Sequence, residues 1–72
     1  MIVRDINIAY LEYIRKDRGI TQVKVSNLLN KYDSYYTGKV NGDVRFTTQD
    51  LMQLIQILGM SKEEVLNLLG VL

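Results

Sequence analysis

The stretch Thr21–Gly42, TQVKVSNLLNKYDSYYTGKVNG, decides the fold. Thr21 is an N-cap: its hydroxyl can accept a hydrogen bond from an N–H at the start of a helix. Val25, Leu28 and Leu29 then recur at helical spacing and read as the buried face. Ser26 is small enough to let a second helix approach closely. Asn30 follows the last Leu and can take the left-handed conformation that ends a helix. Asp33 is the next cap candidate, and Ser34 to Val40 the next short helix, stopped by Asn41-Gly42. Two short helices, a small residue at their crossing and a turn of three or four residues describe a helix-turn-helix over about residues 21–41.

The flanks supply further helices. Asp5 or Asn7 can cap a first helix whose stripe is Ile6, Tyr10, Leu11 and Ile14. Arg15, Lys16 and Arg18 crowd its last turn, where cations meet the negative end of the dipole, and Gly19 stops it. Ile20 plugs into the core ahead of the Thr21 cap. Beyond Gly42, Phe46, the only Phe of the chain, is expected in the core. Thr47 and Asp50 make one capping box, and Ser61 and Glu64 a second. They open helices with apolar faces Leu51, Leu54, Ile55, Leu58 and Val65, Leu66, Leu68, Leu69, closed by Gly59 and Gly70. The expected architecture is all-α: one compact five-helix bundle over residues 1–72.

Composition narrows the function. The 72 residues contain no Cys and no His. That removes disulfides, thiolate metal sites, the usual general base and the commonest metal ligand. No nucleophile–base pair, phosphate-cradling Gly loop or metal cluster is visible. Glu63 and Glu64 read as helix N-terminal charges favoured by the dipole. No enzyme activity, cofactor or small-molecule substrate is expected. No apolar run approaches a membrane span, and Met1-Ile2-Val3 does not open a signal peptide. The expected location is the cytoplasm. The formal net charge is +1, yet residues 1–46 hold eight Lys/Arg against five Asp/Glu. The basic half therefore contains the helix-turn-helix, as a DNA-facing surface requires.

The chain from Leu11 to Leu66 resembles the Cro/phage-repressor type of helix-turn-helix domain. The residues that carry the resemblance are Ile14-Arg15, Gly19-Ile20-Thr21-Gln22, Leu28-Leu29 and Tyr36. Lys39-Val40-Asn41-Gly42, Phe46-Thr47, Leu58-Gly59-Met60-Ser61 and Leu66 complete them. The piece from Lys39 to Thr47 is especially similar to small Cro-like regulators of phages of Gram-positive bacteria. The resemblance implies a five-helix domain with its second motif helix in the major groove, in a bacterial host cell. It implies base-facing candidates Asp33, Ser34, Tyr35, Thr37 and Gly38, and phosphate candidates Gln22, Lys24, Lys39, Asn41 and Arg45. In such proteins the residue at Gln22 contacts a phosphate or buttresses the recognition helix. The chain departs from the family in carrying Lys31 where an aliphatic core residue is usual, and Tyr32 where a Ser or Thr cap is common.

Two kinds of partner are implied. Operator double-stranded DNA is the first, giving a transcriptional regulator of a phage-type genetic switch. The second is a repressor protein, which an antirepressor or modulator would inactivate with the same fold. Base readout relies on Arg or Lys to guanine and Asn or Gln to adenine, and residues 34–38 offer none of these. Tyr, by contrast, is enriched at protein interfaces. Val23 stands where the family usually shows a charge, and Tyr35 is expected to point outward while Tyr36 is core. Of Tyr10 and Tyr13, one must face away from the helix stripe. Leu66, Leu69, Val71 and Leu72 suggest a homodimer through the C-terminal tail.

Overall fold

The computed structural model describes residues 6–42 and 45–70. Five helices succeed one another: α1 Ile8–Asp17, α2 Gln22–Leu28, α3 Tyr35–Val40, α4 Thr48–Ile57 and α5 Lys62–Leu68. Every regular element among the described residues is a helix. None is long and apolar enough to cross a membrane.

Local chemistry sets where each helix begins. Asn7 Oδ1 accepts from the Tyr10 N–H at 3.0 Å and Thr21 Oγ1 from the Lys24 N–H at 3.1 Å. Asp5, the alternative first cap, lies outside the described residues. Both capping boxes form: Thr47 with Asp50, and Ser61 with Glu64, each bonded in both directions. Such caps satisfy donors that the first turn of a helix leaves open, at about 1 kcal/mol each.

The ends are equally local. Gly19, Gly42, Gly59 and Gly70 have positive φ, and Asn30 is the only described non-glycine that does, at φ 62°. After α2, the Asn30 N–H donates to the Asn27 carbonyl and the Lys31 N–H to the Ser26 carbonyl. This paired pattern is a Schellman stop, and it recurs at Gly19-Ile20 and Gly59-Met60.

The turn between α2 and α3 differs from the expected one. It runs from 29 to 34, because the Schellman stop leads into a separate turn in which the Tyr35 N–H donates to the Tyr32 carbonyl. Ser34, not Asp33, precedes α3, and its side chain makes no cap bond. Asp33 instead accepts from Asn27 Nδ2 at 3.0 Å. The missing cap comes from α2: buried Ser26 Oγ accepts from the Tyr36 N–H at 2.9 Å and donates to the Gln22 carbonyl at 3.1 Å. The small residue at the crossing thus serves as a cap in trans to the helix it supports.

One hydrophobic cluster draws on all five helices. At its centre Leu11, Ile14, Val25, Tyr36, Leu54 and Leu68 are almost wholly buried, together with Leu29, Phe46 and Leu58 from the connections. Phe46 lies against Tyr36, ring centroids 6.1 Å apart. Ile20 packs on the cluster as expected, as do Ile6 and Tyr10, while Tyr13 faces outward. Leu28 corrects the expected α2 face: it is 47% exposed. Val25 and Leu29 already fill the inward stripe of this short helix, and Leu28 falls on its flank. α2 packs against both α3 and α4, and α1 against α5. The Asn7 N–H donates to the Leu68 carbonyl at 2.8 Å, and Arg18 reaches the Leu58 carbonyl and both Glu64 oxygens. These contacts fasten the α1 ends to the C-terminal helices.

In the last helix Leu68 is buried and Leu66 half-buried, leaving Leu69 at 38% exposure. Val71 and Leu72, the rest of the expected apolar tail, lie outside the described residues.

Replacing Ser26 by Ala removes the acceptor for the Tyr36 N–H without adding bulk. We expect a loss of about 1–2 kcal/mol, the range for a cap or a buried donor left unpaired. Urea unfolding measures it, and faster hydrogen exchange at the Tyr36 amide locates it in α3.

Candidate functional site

The α2–α3 surface rests on a carboxylate supplied by α1. Glu12 accepts from Arg15 through Nε at 2.7 Å and Nη2 at 3.0 Å. It also accepts from Gln22 Nε2 at 2.8 Å and from the Tyr36 hydroxyl at 2.8 Å. One side chain therefore joins α1, the first turn of α2 and the core tyrosine of α3. Gln22 passes the connection on, its Oε1 accepting from Thr37 Oγ1 at 2.8 Å. Arg15 adds a bond from Nη1 to the Ile20 carbonyl at 2.7 Å, bracing the connection into α2.

These bonds decide the charge state. Burial alone pushes the Glu12 carboxyl up, but hydrogen bonds from Arg15, Tyr36 and Gln22, with the Arg15 charge, outweigh it and bring its pKa down to about 2. Burial first, and then the Glu12 carboxylate, push the Tyr36 phenol well above its ordinary range. Tyr36 thus remains a neutral donor to a carboxylate that remains ionised.

A second network lies on the other side of α3. Lys39 is buried at 6% exposure. Its ammonium donates to the Arg45 carbonyl at 2.6 Å and lies 3.3 Å from Asp50 Oδ2. The Tyr35 hydroxyl donates to Asp50 Oδ1 at 3.0 Å, and the Thr47 N–H to Oδ2 at 3.1 Å. Burial opposes ionisation of Asp50, yet the Thr47, Tyr35 and Lys39 bonds hold its pKa below the ordinary carboxylate value. Burial, and after it the bond to Asp50, raises the Tyr35 phenol. Lys39 also sits over the Tyr35 ring, 4.9 Å from its centroid, and Lys31 lies 5.3 Å from the same ring. Tyr32 meets Tyr35 edge-on at 5.6 Å.

The eleven candidates separate accordingly. Val23, Lys24, Asp33, Ser34, Asn41 and Arg45 are exposed. Gln22, Tyr35, Thr37 and Gly38 are half-buried, and the polar ends of Gln22, Tyr35 and Thr37 are bonded inward. Gln22 braces α3 through Thr37, one of its two expected roles. Tyr35 corrects the expectation that it points outward, because Asp50 holds its hydroxyl. Lys39 corrects its assignment as a phosphate contact: its charge is spent on Asp50 and Arg45 inside the fold. The resemblance implies an outward cation here, and the partner that draws it in, Asp50, is eleven residues away in the sequence.

Sequence reasoning did not place four contributors at this site. Glu12 shares a helix face with Arg15 at i,i+3, a signal that was present in the sequence. Tyr32, 68% exposed, and Leu28, 47% exposed, add apolar surface at and after the end of α2. Lys31 is exposed near Tyr35. No group of metal-ligating side chains occurs among the described residues. No protein-family model matches the chain, and no curated protein or solved structure shows significant similarity to it.

Two substitutions probe these networks. Glu12 has its folded-state pKa below its ordinary value of 4.5, so its contribution is whole above pH 4.5 and is lost as pH falls toward 2. At about 1.4 kcal/mol per pH unit, discounted for residual solvent screening, that contribution is about 2 kcal/mol. Glu12→Gln should lower stability by this amount at neutral pH and flatten the acid limb in that window, read by thermal unfolding across pH. Lys39→Met leaves Asp50 charged without its cation, and should cost about 3 kcal/mol, as removal of one member of a buried pair does. Adding Asp50→Asn should recover part of the loss in urea titrations.

Proposed function

We propose that this chain is a small helix-turn-helix regulator of a phage-type genetic switch, working through the α2–α3 surface. The reading combines the Cro-type resemblance of the sequence with a helix pair joined through Ser26 and Gln22. Of the two partners, a repressor protein is the better supported. The observation that carries this choice is the inward bonding of the α3 side chains. Lys39, Thr37 and Tyr35 commit their polar ends to Asp50 and Gln22, while Val23, Leu28 and Tyr32 remain in solvent. Major-groove readout needs long donors and acceptors free at the helix surface. A protein interface needs an apolar and aromatic centre with charges at its rim. The second arrangement is closer to this surface. The chain would then act as an antirepressor, occluding a repressor's DNA-reading face.

Operator DNA stays as the second reading on a specific observation. Lys24, Lys31 and Arg45 are exposed on this part of the chain, with Asp33 the exposed acid among them. Three such cations suit phosphates. Binding of this kind would be weak in sequence preference and would fall steeply with salt.

A gel-shift experiment separates the two. Promoter-region DNA is titrated with the chain, with the cognate repressor, and with both. Under the antirepressor reading, the chain leaves DNA unretarded and releases the repressor from it. Val23→Glu and Leu28→Glu should each abolish the release while leaving the fold intact by circular dichroism. Retardation by the chain alone, lost between low and physiological salt, would establish the DNA reading instead. Neither effect would remove both.

A further inference from the structure

A cleft of about 380 Å3 opens between the turn after α2 and the first turns of α4. Asn30 and Lys31 line it from the turn, Tyr35 from α3, and Gln49, Asp50 and Gln53 from α4. It lies at the small end of the sizes that hold ligands, room enough for one polar side chain.

Its charge balance selects an occupant. The Asp50 carboxylate is nearly inaccessible, and its oxygens already receive the Tyr35 hydroxyl, the Thr47 N–H and the Lys39 charge. Asp50 and Lys39 cancel. Lys31 is the remaining charge of the lining: among the described residues its ammonium has a ring contact with Tyr35 and no ion-pair partner. The lining also includes Asn30, Gln49 and Gln53, whose side-chain amides carry N–H donors. An incoming guanidinium or ammonium would meet Lys31 and find Asp50 occupied. An apolar group would strip water from three amides without replacing their bonds. A carboxylate brings the opposite charge and accepts from those donors.

Continuity with the exposed apolar surface favours a carboxylate carried by a protein. Exposed Tyr32 lies edge-on to Tyr35, which lines the cleft. We infer that the cleft is a socket for an Asp or Glu side chain of a protein partner seated on Tyr32. This rests on the partner-protein reading above and deepens it.

The test uses the intact chain, isotopically labelled, and monitors backbone amides by NMR. The probes are a blocked Ala-rich pentapeptide with one central Glu, the same peptide with Gln, and a short DNA duplex. The socket requires the Glu peptide to shift the amides of Lys31, Gln49 and Gln53 while the Gln peptide leaves them in place. Lys31→Gln, with an unchanged melting temperature, should weaken the Glu peptide about tenfold, as loss of one charge-assisted contact does. Equal shifts with both peptides, or no shift at these amides, would overturn the inference. Shifts produced by the duplex but not by the Glu peptide would also overturn it, assigning the cleft to phosphate. The partner reading is scored separately. If Lys31→Gln releases repressor from DNA as well as the unsubstituted chain does, the socket fails and the regulator stands. A Glu-peptide response in a chain that leaves the repressor untouched keeps the socket and dismisses that partner.

Discussion

The Glu12 carboxylate is the constraint on which the α2–α3 surface depends. It takes hydrogen bonds from Arg15, Gln22 and Tyr36, and so holds three helices at one point. Gln22 carries its influence to Thr37, the next residue of α3. A six-residue helix such as α3 has little stability of its own. Its position comes from what holds it: the Ser26 hydroxyl at its start, Glu12 behind Tyr36, and Asp50 beneath Tyr35 and Lys39. The helix is clamped by polar contacts on two sides, around an aromatic residue that supplies its core anchor.

This clamping has a functional side. Each polar group used to fix α3 is removed from recognition. A nucleic-acid reader of this shape would hold its recognition helix by apolar packing and leave the hydrogen-bonding side chains free. Here Thr37, Tyr35 and Lys39 are turned to support, leaving the half-buried Gly38 and Val40 as the uncommitted remainder of the helix. Support and recognition draw on the same side chains, and support has taken most of them. That is the physical ground for preferring a protein partner over DNA.

The helix boundaries were largely legible in the sequence because they are local. Thr21, Thr47, Ser61, Asn30 and Gly59 act on residues within one turn of themselves, so their types and spacing suffice. The buried stripes of the ten-residue helices α1 and α4 were legible for a related reason: three turns of periodicity fix a face. On the seven-residue α2, Val25, Leu28 and Leu29 all fit the same pattern, and only packing shows that Leu28 lies outside it. Lys39 and Tyr35 were misread because their directions are set by Asp50, which reaches them from another helix. The cap on α3 was missed on the same ground, since Ser26 supplies it across the crossing. Where a side chain answers to its sequence neighbours it can be read; where it answers to a distant partner it cannot.

Arg18 governs how the bundle can move. Its guanidinium spans the Leu58 carbonyl and the Glu64 carboxylate, while the Asn7 N–H holds the last turn of α5. The α1–α5 seam is therefore closed by charges in partial contact with solvent, whereas the α2–α3 pair is closed from inside. Added ions weaken the first kind of closure much more than the second. In concentrated electrolyte the bundle should loosen from its carboxyl-terminal side, and the α2–α3 surface should be the last to lose its shape.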